Sequence, residues 1–302
     1  MRRRNRVTRK LKADLLLVAC TLIWGASFVV VKGALADASV FAFLAIRFAV
    51  AASSLAILCF RDLRTLNGAA LRAGAVMGCC MFGGYAFQTA GIELTTPSKA
   101  AFVTGVSVVL VPVFLGLFAR QRIGRAIWAG ALVAVAGLYY LTVPASGFGD
   151  LNRGDLLVLC GSVAFALHII AIGRYARRHS PGVLNFLQVT MTLLMICLTW
   201  TVLAMAGRES FRVAWTARLL AAVLLTGVLA TAVAFSVQVW AQQHTSSSHA
   251  AIVFTLEPVF AALTSFAFFR ERLGLRALLG AALILAGILL AEFKGPAPAA
   301  AE

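Results

Sequence analysis

Residues 98–142 read SKAAFVTGVSVVLVPVFLGLFARQRIGRAIWAGALVAVAGLYYLT, and residues 248–292 read SHAAIVFTLEPVFAALTSFAFFRERLGLRALLGAALILAGILLAE. The two stretches keep step at an offset of 150 without a gap, and the match reaches back to residue 95 against 245. Ser98/Ser248, Ala100/Ala250, Ala101/Ala251, Arg120/Arg270, Arg122/Arg272, Gly124/Gly274, Gly130/Gly280 and Gly137/Gly287 are identical pairs, and Gln88/Gln238 fits the same offset. Apolar segments agree by chance in Leu, Ala and Val; matched Arg and Gly at one offset are not a composition effect. Earlier in each half the offset is 141, through Asp14/Asp155, Leu15/Leu156, Leu16/Leu157 and Ser39/Ser180. The difference of nine reads as one insertion in the second copy, after its second apolar segment, in the region of Arg208.

Outward from that repeat, the chain divides into ten apolar segments, at roughly 14–34, 40–60, 71–91, 98–118, 126–143, 155–175, 183–205, 218–240, 249–269 and 275–293. Each is long enough to cross a hydrocarbon core of about 30 Å as a helix. None shows the period-2 alternation of a barrel strand. The expected fold is an all-α membrane protein of ten transmembrane helices, five per copy. Five is odd, so the second copy enters the membrane from the opposite side and the copies form an inverted repeat. The expected organisation is a basic cytoplasmic tail at 1–13, a first repeat at 14–145, a second at 150–294 and a cytoplasmic tail at 295–302.

Composition agrees. Of 302 residues 61% are hydrophobic and 13% charged, with mean hydropathy +0.93, against about 45–50% and about 25% in soluble domains. This excludes a soluble enzyme and a disordered chain, and six scattered cysteines exclude a disulfide scaffold. The net charge of +16 would suggest nucleic acid in a soluble protein. Here the basic residues sit in the first twelve positions and in short gaps between apolar runs, where they set orientation and meet anionic headgroups. No nucleic-acid partner is expected. With the amino terminus inside, 17 Lys and Arg fall inside and nine outside, with Arg47 within a segment. The expected location is the inner (plasma) membrane, with both termini cytoplasmic. The opening resembles a signal peptide with Ala34-Leu35-Ala36 as a cleavage site, but its apolar run is too long and Lys32 interrupts it, so an uncleaved first helix is expected.

An inverted repeat gives two conformations of similar energy that the copies can exchange, which points to a carrier with alternating access. Trp24-Gly25-Ala26-Ser27-Phe28, Arg47, Ala100-Ala101-Phe102-Val103-Thr104-Gly105 with Val111-Pro112, and Leu256-Glu257-Pro258-Val259-Phe260-Ala261 before Arg270-Glu271-Arg272-Leu273 resemble the EamA family of the drug/metabolite transporter superfamily. The resemblance covers about residues 14–293. It implies a secondary carrier, often an exporter of amino acids or related metabolites. It also implies a central cavity lined by segments one to four and six to nine, with five and ten packed outside. The sequence departs from symmetry at three places. Gln121 stands opposite Glu271, Pro112 one turn later than Pro258, and Phe165-Ala166-Leu167-His168 opposite Trp24-Gly25-Ala26-Ser27.

Ionisable groups inside membrane helices are costly, so each is a functional candidate. Glu257 could bind a proton or substrate, cap the turn broken by Pro258, or pair with Arg47. Arg47 could grip a substrate carboxylate through its planar fork, or be a structural pair. His168 could relay a proton or be a neutral core donor. Gln88 and Gln238 could line opposite ends of the cavity, with Gln188 in the place of Arg47 at offset 141 and Trp24 and Tyr85 as aromatic surface, or these side chains could pack between helices or sit at the membrane interface. The glycines of segments three, five and ten read as close-packing positions. No catalytic, metal or cofactor motif appears, so a small-molecule substrate, membrane lipids and protons as coupling ion are the expected partners. A carrier for sugars, nucleotide sugars or other organic metabolites, a membrane enzyme and a non-transporting scaffold are the alternatives.

Overall fold

The computed structural model describes residues 2–143, 147, 151–209, 212–269 and 274–294, with side chains from Arg9 onward except at 98, 265–269 and 292–294. Every apolar segment is helical. The first repeat consists of α1 (Arg2–Ala34), α2 (Val40–Leu58), α3 (Gly68–Leu94), α4 (Pro97–Gly105), α5 (Ser107–Phe118) and α6 (Arg125–Thr142). The second consists of α7 (Arg153–Tyr175), α8 (Pro181–Met205), α9 (Ala217–Leu224), a π-helical segment (Leu225–Val233), α10 (Ala234–Ala241), α11 (Ser247–Val253), a 3-10 turn (Phe254–Leu256), α12 (Glu257–Phe269) and α13 (Leu275–Lys294). Among the described residues nine helical stretches are long and apolar enough to cross a membrane. The tenth is α13, whose apolar part Leu275–Ala291 is just shorter. The protein is an all-α, multi-pass membrane protein.

Local chemistry sets the helix starts. Asn67, Thr96, Asn152, Thr216 and Ser246 each accept a backbone N–H of the first turn, and Asn152 with Asp155 completes a capping box. Thr96 and Ser246 are partners at offset 150, so the two copies begin α4 and α11 in the same way. The basic residues Arg2–Lys12 are helical and continuous with α1, because Arg and Lys sustain a helix and nothing there breaks it. Residues 295–302 and the Arg270-Glu271-Arg272-Leu273 run lie outside the described residues.

Segments four and nine are each two half-helices. The breaks fall at corresponding places, at Val106 and at Phe254–Leu256. Pro258 follows the second break, but the first has Val108 there, and Pro112 sits inside α5. In the first copy the helix gives way after Gly105, a poor helix former, through a tight i→i+3 bond from Val106 N to Val103 O (3.2 Å).

Two bundles result, each drawing on both repeats. One is α3, α4, α5 and α7; the other is α1, α9, the π segment, α10, α11 and α12. Outside them α6 and α13 pack on each other. A Cβ on Gly130 would lie 2.6 Å from the Gly287 carbonyl oxygen, and one on Gly137 would lie 2.7 Å from that of Gly280. The reciprocal distances are the same, 2.6 and 2.7 Å. That crossing of offset partners is what a two-fold relation between antiparallel copies requires, and the missing side chains let the backbones touch.

We call the end holding the starts of α1 and α3 the amino-terminal face, and the other the distal face. The described residues of the insertion in the second copy lie on the distal face. Leu58, where α2 ends, corresponds to Thr199, yet α8 runs on to Met205. The loop that follows straps the α1–α2 turn. Ser39 N donates to Arg212 O (2.9 Å), Ala214 N to Asp37 O (2.7 Å), and the Arg212 guanidinium to the carbonyls of Ala36 (2.6 Å) and Leu35 (3.0 Å). The Asp37 carboxylate receives Arg218 Nη2 (2.7 Å) and Nε (2.8 Å) and Thr216 Oγ1 (2.7 Å). These hydrogen bonds, Arg218 first, pull the Asp37 carboxyl down to about 2.

Candidate functional site

A cavity enclosing about 820 Å3 of non-atom space, its open part included, lies between the two bundles. Seven of the eight residues singled out in the sequence line it: Trp24, Arg47, Tyr85, Gln88, His168, Gln238 and Glu257. Its aromatic wall is larger than expected, with Phe28, Phe165, Phe235 and Phe254 beside Trp24 and Tyr85. Trp24 contacts Phe235 at 5.1 Å and Phe254 at 5.3 Å between ring centroids, and Tyr85 meets Phe165 at 5.3 Å. The sequence could not single out these phenylalanines, because 21 are distributed through the apolar helices.

Gln188 is the exception. It is fully buried behind the cavity, and α8 contributes no lining residue. The lining expected from segment seven is therefore corrected. Gln188 holds the place of Arg47 in its helix, but its amide turns to His168 Nε2 (2.8 Å) rather than into the cavity.

Arg47 is 2% exposed. Its Nε donates to Thr231 Oγ1 (3.1 Å), its Nη2 donates to Tyr85 Oη (3.1 Å), and its Cζ stands 4.4 Å from the Tyr85 ring centroid. Of its five N–H groups, the other three have no acceptor among the described residues. No carboxylate there lies within ion-pair distance, so the expected alternative of an Arg47–Glu257 pair is not what the structure contains. An arginine at the centre of a membrane helix costs about 2.5–3.5 kcal/mol, whereas interhelical hydrogen bonds return about 0.6 kcal/mol each. With the Tyr85 cation–π contact, worth about 2 kcal/mol when desolvated, these terms come close to balancing.

Thr231 was not legible as a site residue. It belongs to the π segment, where its hydroxyl donates to Thr226 O five residues back (2.8 Å) while accepting from Arg47. The same segment offers carbonyls to neighbours, with Trp24 Nε1 on Ala230 O (2.8 Å) and Asn185 Nδ2 on Ala232 O (2.8 Å). Departures from the α-helical ladder of this kind recur at functional sites, and no sequence signal announces them.

Glu257 is half-buried at the first position of α12, and among the described residues it makes no hydrogen bond or ion pair. Gly25 gives the α12 backbone room beside it: a Cβ there would lie 2.9 Å from Ala261 N. Gln88 Nε2 donates to Thr104 Oγ1 (3.0 Å), and Gln238 Nε2 donates to Gln242 Oε1 (3.0 Å).

The cavity is not centred. Val31, Thr89 and Ile92 extend its lining toward the distal face, whereas their counterparts Ile172, Val239 and Gln242 do not line it. Polar contacts flank it at corresponding positions. Lys99 Nζ lies 3.7 Å from Asp155 at the distal face, and His249 Nε2 lies 3.2 Å from Asp14 at the amino-terminal face.

Comparison with known proteins places this architecture. The model of the EamA-like transporter family matches the chain twice, at residues 11–143 and 152–293. An uncharacterized transporter of Archaeoglobus fulgidus is 35% identical over 286 residues, covering 95% of this chain and 87% of that protein. The aromatic amino acid exporter YddG of Ancylobacter novellus is 28% identical over 121 residues, covering 39% of this chain and 42% of its own length. A solved crystal structure superposes with a TM-score of 0.74 at 20% identity, covering 93% of this chain and 96% of that one.

Proposed function

The chain belongs to the EamA-like transporter family, and on that premise we propose a secondary carrier that exports amino acids or related small metabolites across the inner membrane by alternating access. The observation that carries the reading is the buried Arg47 guanidinium in an aromatic-walled cavity, with three N–H groups that no described residue accepts. Arg47 takes the substrate's carboxylate. Trp24, Tyr85 and the four phenylalanines cover its apolar part. Gln88 and Gln238 bound the cavity on its two sides. Glu257 or His168 carries the proton that couples transport, and Gln188 supports His168 from behind. The excess of Lys and Arg on the amino-terminal face supports cytoplasmic termini, with anionic lipid headgroups around the basic start of α1. The named relative that exports aromatic amino acids agrees with the aromatic wall. No step of this reading makes or breaks a covalent bond, and no cofactor or nucleic acid takes part.

Counterflow tests it. Proteoliposomes are loaded with unlabelled amino acids one at a time, and uptake of the labelled counterpart is followed at pH 6 and pH 8. The proposal predicts substrate-specific counterflow that changes between the two pH values. Folded protein that supports counterflow with sugars or nucleotide sugars and with no amino acid would overturn the substrate class.

A further inference from the structure

A chain of buried amides runs from the π segment to the cavity, and its direction can be read from one end. The carbonyl of Ala232 can only accept. Asn185 Nδ2 meets it at 2.8 Å. The same Nδ2 meets Ser236 Oγ at 2.8 Å, and the Ser236 hydroxyl has given its hydrogen to Ala232 O (2.8 Å). Two acceptors thus fix the nitrogen of the Asn185 amide on that side and turn its Oδ1 toward Gln188. Gln188 Nε2 donates to Oδ1 at 2.8 Å. That fixes the second amide, and Gln188 Oε1, which can only accept, lies 2.8 Å from His168 Nε2. A ring nitrogen facing an acceptor at this distance carries the hydrogen. Such amide and tautomer assignments follow from the network rather than from visible hydrogens, and here the network has an unambiguous end.

We infer that His168 is locked in its Nε2–H form, and that Nδ1 is thereby an acceptor offered to the cavity for an N–H or O–H donor of the transported molecule. Among the described residues nothing bonds Nδ1 and no carboxylate pairs with His168. Phe235 closes one side of the ring at 5.6 Å between centroids. Asn185 and Gln188 are positioning residues: both are fully buried, neither lines the cavity, and each acts through its neighbour. The first repeat has no such chain, since Ser27, Arg47 and Leu44 stand at the positions of His168, Gln188 and Asn185. The cavity therefore asks for two things from opposite repeats, an anionic group at Arg47 and a hydrogen-bond donor at His168. This requirement on the ligand rests on the carrier reading above; the state of the ring does not.

Nitrogen-15 NMR of histidine-labelled full-length protein in bilayers tests it, with His168 assigned by the signals lost in His168→Gln. In the wild type at pH 7.5, His168 should show a protonated Nε2 and an unprotonated Nδ1. In Asn185→Leu, which installs the first repeat's residue, the Gln188 amide is free to turn and both tautomers should appear. Wild-type His168 protonated at Nδ1 would overturn the inference without any variant. So would an Asn185→Leu spectrum identical to the wild type. In counterflow, Asn185→Leu should raise the half-saturating concentration of the carried amino acid about tenfold at little change in maximal rate, the loss of about one buried hydrogen bond. Absence of counterflow with every amino acid would count against the carrier reading and leave the spectrum to decide the tautomer.

Discussion

At the amino-terminal face three side chains reach across the cleft between the bundles. Gln242 Nε2 and Ser247 Oγ both donate to Ile169 O (2.9 and 3.2 Å), and Gln243 Nε2 donates to Ala176 O (2.7 Å). At the distal face Lys32 joins the corresponding helix ends across the cleft. Its ammonium caps the carbonyls of Ile92 (2.7 Å), Glu93 (2.9 Å) and Thr95 (3.1 Å) at the end of α3. One position accounts for much of the difference. Lys32 corresponds to Gly173, and a Cβ on Gly173 would collide with Ser247 Oγ. Gly173 leaves room for the Ser247 hydroxyl beside Ile169, where the first copy carries Lys32, which reaches across the cleft instead. A single fold, used twice, thus occupies two arrangements at once, as the proposed exchange between two access states requires.

The comparison can be broken at its centre. Arg47→Gln gives both copies the residue found at 188 and removes the cavity's guanidinium. Counterflow should fall by more than about 100-fold, as expected for loss of a charge-assisted contact of about 3 kcal/mol, with membrane levels retained. Transport at the wild-type rate would remove Arg47 from the account.

A smaller effect is expected at the closed face. Gly173→Ala should lower the maximal counterflow rate by up to about tenfold by turning the Ser247 hydroxyl away from Ile169, a loss on the scale of about one buried hydrogen bond. The double variant Gly173→Ala/Ser247→Ala removes the colliding hydroxyl, and the Ser247 Cβ is 3.5 Å from the new methyl group, an ordinary contact. Most of the rate should return. If the double variant is as slow as the single one, closure at this face does not depend on the Gly173–Ser247 approach.

The smallest effect concerns the strap, which only the distal face carries. The Asp37 carboxyl sits at about 2, against about 3.9 in an unfolded chain. A depressed value stabilises the fold above the unfolded value, and the contribution disappears as pH falls through the folded one. Arg218 is largely exposed, so screening keeps the effect small. Asp37→Asn should lower the thermal midpoint slightly at pH 7, and the gap to the wild type should narrow between about pH 4 and pH 2. A gap that is constant over that window would show that the carboxylate's charge is not what holds the strap.

Much of this architecture was legible in the sequence, because membrane helices are long, uniform and bounded by charge. Arg and Gly matched at one offset revealed the repeat, and the odd number of segments revealed its inversion. Arg47, Glu257 and His168 stood out because polar groups are rare in such helices, and all three line one cavity. Gln188 shows where that reasoning stops. Its register matched Arg47, but a glutamine amide is neutral and can bond a neighbouring helix, so the offset did not set where its side chain points. Thr231 stayed hidden for another reason: its role depends on a π-helical register that no local composition encodes. The phenylalanines were hidden by their number.

The most direct measurement locks the closed face. In a background with Cys20, Cys59, Cys79, Cys80, Cys160 and Cys197 replaced, Gly173→Cys and Ser247→Cys are introduced together. Their Cβ atoms would lie 3.5 Å apart, which suits a disulfide. The account predicts that the oxidised protein supports no counterflow and that reduction in the same vesicles brings it back to about the rate of Gly173→Ala. Equal counterflow before and after reduction, with the cross-link shown to be complete, would contradict alternating access through this face.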